Sequence, residues 1–484
     1  MGIKRKTIGC GKELKKYKKH PYIGRAPVNM LEVKKILKHL NSERENSRGP
    51  HIEVDYYFEA VNTRNPLDGL EYVTRMVLEH GTVKPWHSEG DTKIQRPPGY
   101  NENMSWVVDI KLLGYNRDES IESGIVTIAY PLAFFDKSGG AFPMAQLMMA
   151  VASEPVSAFS NYQAAKMIDI RFPTELKRRL PGILWPHKRI VDYLNLPAGE
   201  PIIGTIVKPK TGLTPELFSR AVTEAAVAGA RFTKADENMH LTLKELPIYV
   251  SKTVKSLERA GFDLGSSSFP KRKRFLFAPH ITADPKNMME YAKAAVEAGA
   301  NALMFSPYYS GGFLMLTEIA KRFDVPIYAH TAGMNIFTGS PFWGIDSRVM
   351  YLFSAYFGAA FMQLPAVKGY IRPDDIEKKE ILKRLKEENL EGNEGMTLVI
   401  AGGVGPGNIG LNMKILGTEG RMFLAGTSVY SHPDGVSAGV KALILAYRAY
   451  KEAGITEIKN LVNYGKNLGK EGYPLVRALV HKLK

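Results

Sequence analysis

The sequence predicts an α/β protein in which a C-terminal (β/α)8 TIM barrel follows a smaller N-terminal α+β domain. Three observations carry this prediction. From residue 201 onward, short apolar runs rich in β-branched and aromatic residues alternate with longer amphipathic runs. Eight such strand–helix pairs fill about 250 residues, the number and size that close a barrel of alternating units. Before them, from about residue 50 to 180, strand-like and helix-like runs follow one another without regular alternation, as in a compact α+β domain.

The expected divisions are a basic extension over 1–47, the α+β domain over 48–185 and the barrel over 186–484. Residues 1–25, MGIKRKTIGCGKELKKYKKHPYIGR, hold seven Lys and two Arg against one Glu, a net +8, which is half of the chain's +16. The basic excess is thus concentrated in a tail. A short tail of this kind is a solvated segment more often than an arm for RNA, acidic lipid or a neighbouring subunit, so nucleic acid is not expected as a partner. Gly2 opens a myristoylation-like stretch, but Lys6 stands where Ser or Thr is needed. The single cysteine, Cys10, excludes an intramolecular disulfide and a cysteine cluster, so a metal would be held by oxygen or imidazole. The most apolar stretch, AFPMAQLMMAVA, is shorter than the roughly 18 residues of a membrane span, and no charged-then-apolar leader opens the chain. A cytoplasmic protein without membrane contact is expected.

In the α+β domain, HIEVDYYFEA and SWVVDIKLLGY read as strands, PLDGLEYVTRMVLEH and AAKMIDIRF as helices. The charged, proline-rich TELKRRLPGILWPHKRIVDYLNLPAGEP reads as a connection. The barrel strands are then IIGTIVK (202–208), RFTKAD (231–236), RFLFAPHIT (274–282), NALMFS (301–306), VPIYAH (325–330), AFMQL (360–364), TLVIAGG (397–403) and RMFLAG (421–426). Helical runs fill the gaps, among them TPELFSRAVTEAAVAGA after the first strand, the charge-dense DDIEKKEILKRLKEENLE after the sixth and GVSAGVKALILAYRAYKEAG after the last. A doubly wound open sheet is the alternative, but its glycine-rich dinucleotide fingerprint is missing after the first strand, which reads KPKTGL.

A barrel gathers the C-terminal ends of its strands at one mouth. Here those ends carry Lys208 and Lys210, then Lys234, Asp236 and Glu237, then His280, His330, Gly402-Gly403 and Ala425-Gly426-Thr427. In a strand ending at Asp236, Lys234 and Asp236 point to the same side and Glu237 lies just beyond. Two carboxylates are hard oxygen ligands suited to Mg2+, which keeps waters and substrate in its shell. Glycines at the last two strand ends let backbone N–H groups approach a phosphate. Taken singly, an acidic pair is usually a solvated edge, a double glycine a turn and a histidine a satisfied structural residue. Their convergence on one face makes an active site the better reading.

The motifs GTIVKPKTGL, FTKADEN, FAPHITAD, ANALMFSPYYSGGF, VPIYAHTAG, IAGGVGPGN and HPDG occur in an order and spacing that resemble the large subunit of ribulose bisphosphate carboxylase (RuBisCO) and the RuBisCO-like proteins. The resemblance covers residues 50–455 and is strongest over 200–435. It implies that Lys234 reacts with CO2 to form a carbamate and holds Mg2+ together with Asp236 and Glu237. It further implies Lys208 as a proton-transfer residue, Lys210 as its supporting neighbour, His330 near the substrate, and Gly402, Gly403, Ala425 and Gly426 as a phosphate cradle. Assembly as a homodimer or higher homo-oligomer is also implied, with Glu79 of EHGTVKPW completing the partner's site.

The departures from the carboxylases are as informative. The arginine and second histidine that follow the fifth-strand histidine in carboxylases are replaced by Thr331 and Met334. The sixth strand ends at Gln363 in place of a histidine, and its loop reads LPAVKGYI, with Lys368 before the glycine where the family has Gly-x-Lys. No asparagine stands in ASEPVSAF. A RuBisCO-like protein is therefore expected: an isomerase or enolase type acting on a phosphorylated keto-sugar or thio-sugar, with Mg2+ as cofactor and CO2 as activator. Two alternatives remain. A divergent ribulose-1,5-bisphosphate carboxylase would fix labelled CO2 into a stable acid. A non-catalytic paralogue acting through its tail would need residues 1–25 and tolerate loss of Lys234.

Overall fold

The computed structural model describes residues 30–42, 49–61, 63–81, 99–137, 139–197, 199–265, 273–369 and 371–481; the basic stretch 1–25, with Gly2 and Cys10, lies outside them. The chain forms two compact units, one of residues 1–180 with 336–350, the other of 181–335 with 351–484.

Among the described residues the first unit opens with helix α1 (Met30–Leu40) and is built on strands β1 (His51–Val61), β2 (Trp106–Asn116), β3 (Ile121–Pro131) and β4 (Tyr162–Arg171). The sheet order is β4-β1-β3-β2, all antiparallel, with the short strand Trp343–Ile345 added in parallel outside β4. Helix α2 (Asp68–Gly81) buries Leu70, Val73, Val77 and Leu78. AAKMIDIRF is thus a strand and not the helix expected from its Ala, Lys and Met content. Ala165 pairs with Phe58 and Ala164 with Glu59, and Ala164, Ala165 and Met167 are all buried. A strand with consecutive covered residues loses the two-residue alternation that marks half-buried strands, and pairing with β1 overrides local helix propensity. At its far end Arg171 grips Asp55 of β1 through two bonds of 2.8 and 2.7 Å.

The second unit is a barrel of eight parallel strands: β5 (Ile202–Ile206), β6 (Phe232–Lys234), β7 (Leu276–Ala278), β8 (Leu303–Phe305), β9 (Ile327–Ala329), β10 (Phe361–Pro365), β11 (Thr397–Ala401) and β12 (Arg421–Ala425). They are adjacent in chain order, and β12 pairs with β5. Between β7 and β8 the ring is closed by Met304 N–H to Pro279 O (3.0 Å) and Ile281 N–H to Met304 O (2.9 Å). Each strand lies within the run expected for it, save that β10 extends one residue further, to Pro365.

Helices wrap the outside, each following its strand. The helix Pro215–Val227 starts where Thr214 accepts the Leu217 N–H (3.3 Å), with proline in its first turn. Asp374 caps Asp375–Glu387 in a reciprocal box with Glu377.

Inside the barrel, Phe232 packs on Phe361 (5.2 Å between ring centres) and on Tyr328 (6.1 Å) among Met304, Met422 and Leu424. The expected connection before β5 also holds a helix, His187–Leu194, whose Ile190 and Leu194 join Trp185 in that same core. Its His187 meets Thr397, the first residue of β11, at 2.9 Å, so this helix seals the barrel end opposite the strand C-termini. No helix among the described residues is long and apolar enough to cross a membrane.

Candidate active site

β6 delivers the central group. Lys234, its last residue, is fully buried, and Asp236 and Glu237 follow at the mouth. The Lys234 ammonium donates to Ala235 O (3.2 Å), stands 3.6 Å from Glu237 Oε2 and lies over the Tyr328 ring. Burial pushes it down to about 8, with the nearby Lys208 charge acting the same way and Glu237 and Asp236 opposing.

The two carboxylates have separate partners. Asp236 is ion-paired with Lys208, which arrives from the end of β5, and its other oxygen accepts the Asn238 N–H (3.0 Å). Burial acts to raise the Asp236 carboxyl, but Lys208 and that N–H hold it below the usual carboxylate range. Glu237 Oε2 sits between Lys234 and His330 Nε2, which is 3.5 Å away. Burial opposes its ionisation as well, and the Lys234 charge prevails.

Both histidines are neutral, and their bonds assign the tautomers. His330 Nδ1 accepts the Ala332 N–H (3.1 Å), so its proton is on Nε2, facing Glu237. Burial, reinforced by Lys234 and His280, holds its imidazolium far below 6.5. His280 shows the reverse arrangement: Nδ1 donates to Met239 O (3.1 Å) and Nε2 accepts from Thr282 (2.6 Å), which itself accepts the Ser306 N–H (3.0 Å). Burial takes His280 down to about 4.

Above these groups opens a cavity of about 480 Å³. It is lined by Lys208, Lys210, Glu237, His330, Gln363 and Ile371 and, beyond the ends of β11 and β12, by Gly402, Gly403, Gly426, Thr427, Ser428 and Ser431. Gly402 and Gly403 have φ of 73° and 103°, a left-handed backbone that favours glycine, and a Cβ on Gly402 would lie 2.5 Å from Ile371.

The structure therefore brings together Lys208, Lys210, Lys234, Asp236, Glu237, His330, Gly402, Gly403 and Gly426. Ala425 is buried behind Gly426 and does not reach the cavity. Lys368 has an exposed side chain and a φ of 56°, its N–H donates to Asp375, and among the described residues of that loop it is Ile371 that lines the cavity. Glu79 lies half-buried on α2 in the first unit. The hydroxyls of Ser428 and Ser431 and the tie between His280 and Thr282 were not legible as site features. TSVYS differs in no way from an ordinary helix start, and a Thr two residues after a His is common.

Among the described residues no three His, Cys, Asp or Glu side chains stand close enough to hold a metal ion. A hard divalent cation would need a third ligand beside Asp236 and Glu237. Lys234 supplies the chemistry for one: its amine stands 3.6 Å from Glu237 and feels the charge of Asp236, and a fall to about 8 leaves a neutral fraction able to add CO2 and become an anionic oxygen donor. The donor set thus fits Mg2+.

The family model described as ribulose bisphosphate carboxylase large chain, catalytic domain, matches residues 188–480, and that of the N-terminal domain matches 101–176. The chain is 26% identical over 422 residues to the ribulose bisphosphate carboxylase of Methanocaldococcus jannaschii (82% of this chain, 95% of that protein). It is 27% identical to the 3-oxo-isoapionate-4-phosphate decarboxylase of Rhizobium rhizogenes (76% and 88%). It is 25% identical to the 2,3-diketo-5-methylthiopentyl-1-phosphate enolase of Bacillus thuringiensis (68% and 76%). In fold it is similar to the octameric Rubisco of Pyrococcus horikoshii, with a TM-score of 0.74 at 21% identity over 89% of this chain and 93% of that one.

Proposed function

The chain belongs to the ribulose bisphosphate carboxylase large-chain family, and from that premise we propose that it is an enzyme that enolises a phosphorylated keto compound, removing a proton beside the carbonyl. The observation that carries this reading is Lys234: a fully buried lysine 3.6 Å from Glu237, lowered to about 8 and followed by Asp236, at a mouth whose cavity is lined by lysines and glycines.

In this reading the neutral Lys234 amine forms an N–C bond to CO2 and releases one proton, giving a carbamate. The carbamate, Asp236 and Glu237 would hold Mg2+, which when bound lowers the energy of negative charge developing on the substrate oxygen. The remaining work belongs to the chain. The substrate phosphate rests on the N–H groups around Gly402, Gly403 and Gly426, with Lys210 adding charge. Lys208 lines the cavity and moves a proton to or from the reacting carbon or oxygen, steered by its pair with Asp236. His330, locked as the neutral Nε2–H tautomer, can donate a hydrogen bond but cannot serve as a base through Nδ1, which is occupied. Two relatives support the enolising reading: one is named an enolase, and the other decarboxylates a 3-oxo acid phosphate, chemistry that also passes through an enolate. We read the protein as at least a homodimer, with Glu79 completing the partner's site.

The test is hydrogen exchange. Purified protein with Mg2+ and bicarbonate is expected to exchange a carbon-bound hydrogen of some member of a ketose phosphate panel with D2O; no exchange across the panel overturns the proposal. Because the chain is also similar to a carboxylase over most of its length, ribulose bisphosphate with labelled CO2 belongs in the same panel, and no stable labelled acid is expected.

A further inference from the structure

Gln363 of β10 lines the cavity without charge, and two buried phenols hold it. Tyr351 donates to its backbone carbonyl, and Tyr328, fully buried within the barrel, donates to its side-chain oxygen at 3.3 Å. Among the described residues that oxygen is the acceptor of the Tyr328 hydroxyl. The opposite amide orientation would leave a buried phenol proton without an acceptor, which is the costly arrangement. The Gln363 oxygen is therefore turned into the barrel, and its NH2 is left for the cavity.

The surroundings restrict what that NH2 can meet. Lys208 and Lys210 are the cations lining the cavity among the described residues, and Lys208 is committed to Asp236. His330 has its Nε2 turned to Glu237 and its Nδ1 taken by the Ala332 N–H, and Ile206 and Ile371 are apolar. A second dianionic group beside Gln363 would lose its hydration and gain one neutral donor in return. A hydroxyl or carbonyl oxygen would gain the same bond at much smaller desolvation cost.

We propose that Gln363 is a specificity-determining residue: its NH2 donates to an uncharged oxygen of a substrate that carries one phosphate, and the wall around it disfavours a second phosphate. This rests on the reading of the cavity as the seat of a phosphorylated keto compound.

The test is calorimetric binding to the full chain with Mg2+ and bicarbonate, using inorganic phosphate, xylulose 5-phosphate and ribulose 1,5-bisphosphate as probes. The wild type is expected to bind the monophosphate at least about tenfold more tightly than the bisphosphate, the scale of one charge-mismatched contact. Gln363→Glu keeps the shape and an oxygen for Tyr328 but loses the donor, and Gln363→Leu loses both. Each is expected to lose about tenfold for xylulose 5-phosphate while binding inorganic phosphate as before. Tyr328→Phe, which frees the amide, is expected to lose less in the same direction. The proposal is overturned if the wild type prefers the bisphosphate, or if Gln363→Glu leaves monophosphate affinity unchanged. It is also overturned if that variant loses inorganic phosphate equally, since Gln363 would then be a structural residue. Discrimination in binding without D2O exchange would sink the enolisation reading and leave this one standing. Exchange with unaltered binding in Gln363→Glu would do the reverse.

Discussion

At the scale of single residues, Lys234 shows how burial sets reactivity. A lysine on a surface is an ammonium at neutral pH and does not add CO2; taken out of water it approaches neutrality even with two carboxylates beside it. The sign of the pH effect follows. Below about 8 the ammonium form grows and carbamate formation should weaken, and above it the amine is free. A carbamate resonance from 13C-bicarbonate is therefore expected to strengthen from pH 7 to 9 in the wild type. Lys234→Arg, whose guanidinium stays protonated, should show no such resonance and lose at least about 100-fold in solvent exchange. A resonance that persists in the variant would assign the carbamate elsewhere.

At the scale of an element, α2 depends on a carboxylate from another part of its unit. Glu122 of β3 is buried and accepts the N–H groups of Leu67 (2.9 Å), Gly69 (3.3 Å) and Leu70 (3.2 Å) at the helix start. Those bonds favour the anion, yet burial outweighs them and raises the carboxyl from 4.5 to about 7. A group whose folded pKa is raised stabilises fully below its unfolded value and loses that contribution as pH rises through the folded value. Urea unfolding of the first unit should therefore become easier between pH 5 and 8. Glu122→Gln should flatten that slope, and a slope unchanged by the substitution would refute the assignment. The sequence shows Glu122 only as a charged residue in a stretch that itself went unassigned, because its role depends on a helix more than 50 positions away.

At the scale of the whole molecule, ligation should report on the barrel. If Asp236, Glu237 and the modified Lys234 hold a cation only when folded, Mg2+ with bicarbonate stabilises the second unit by about 2.7 kcal/mol at a hundredfold excess over Kd. Calorimetry should show one transition moving upward, reversed by chelation and absent in Lys234→Arg; a shift retained in that variant would place the metal elsewhere. The eight strands were legible because strands covered on both faces are short apolar runs bounded by turns, and most of the mouth was legible because polar groups at strand ends of a closed barrel have one place to go. The same coverage on both faces disguised β4 as a helix. Local composition and order thus determined the barrel, the order of its strand ends and the placing of Lys234, Asp236 and Glu237 at one of them. Only the tertiary structure decided which proton each histidine carries, which way the Gln363 amide faces, and that Ile371 and not Lys368 reaches the cavity, because each depends on partners brought together by folding and not by sequence distance.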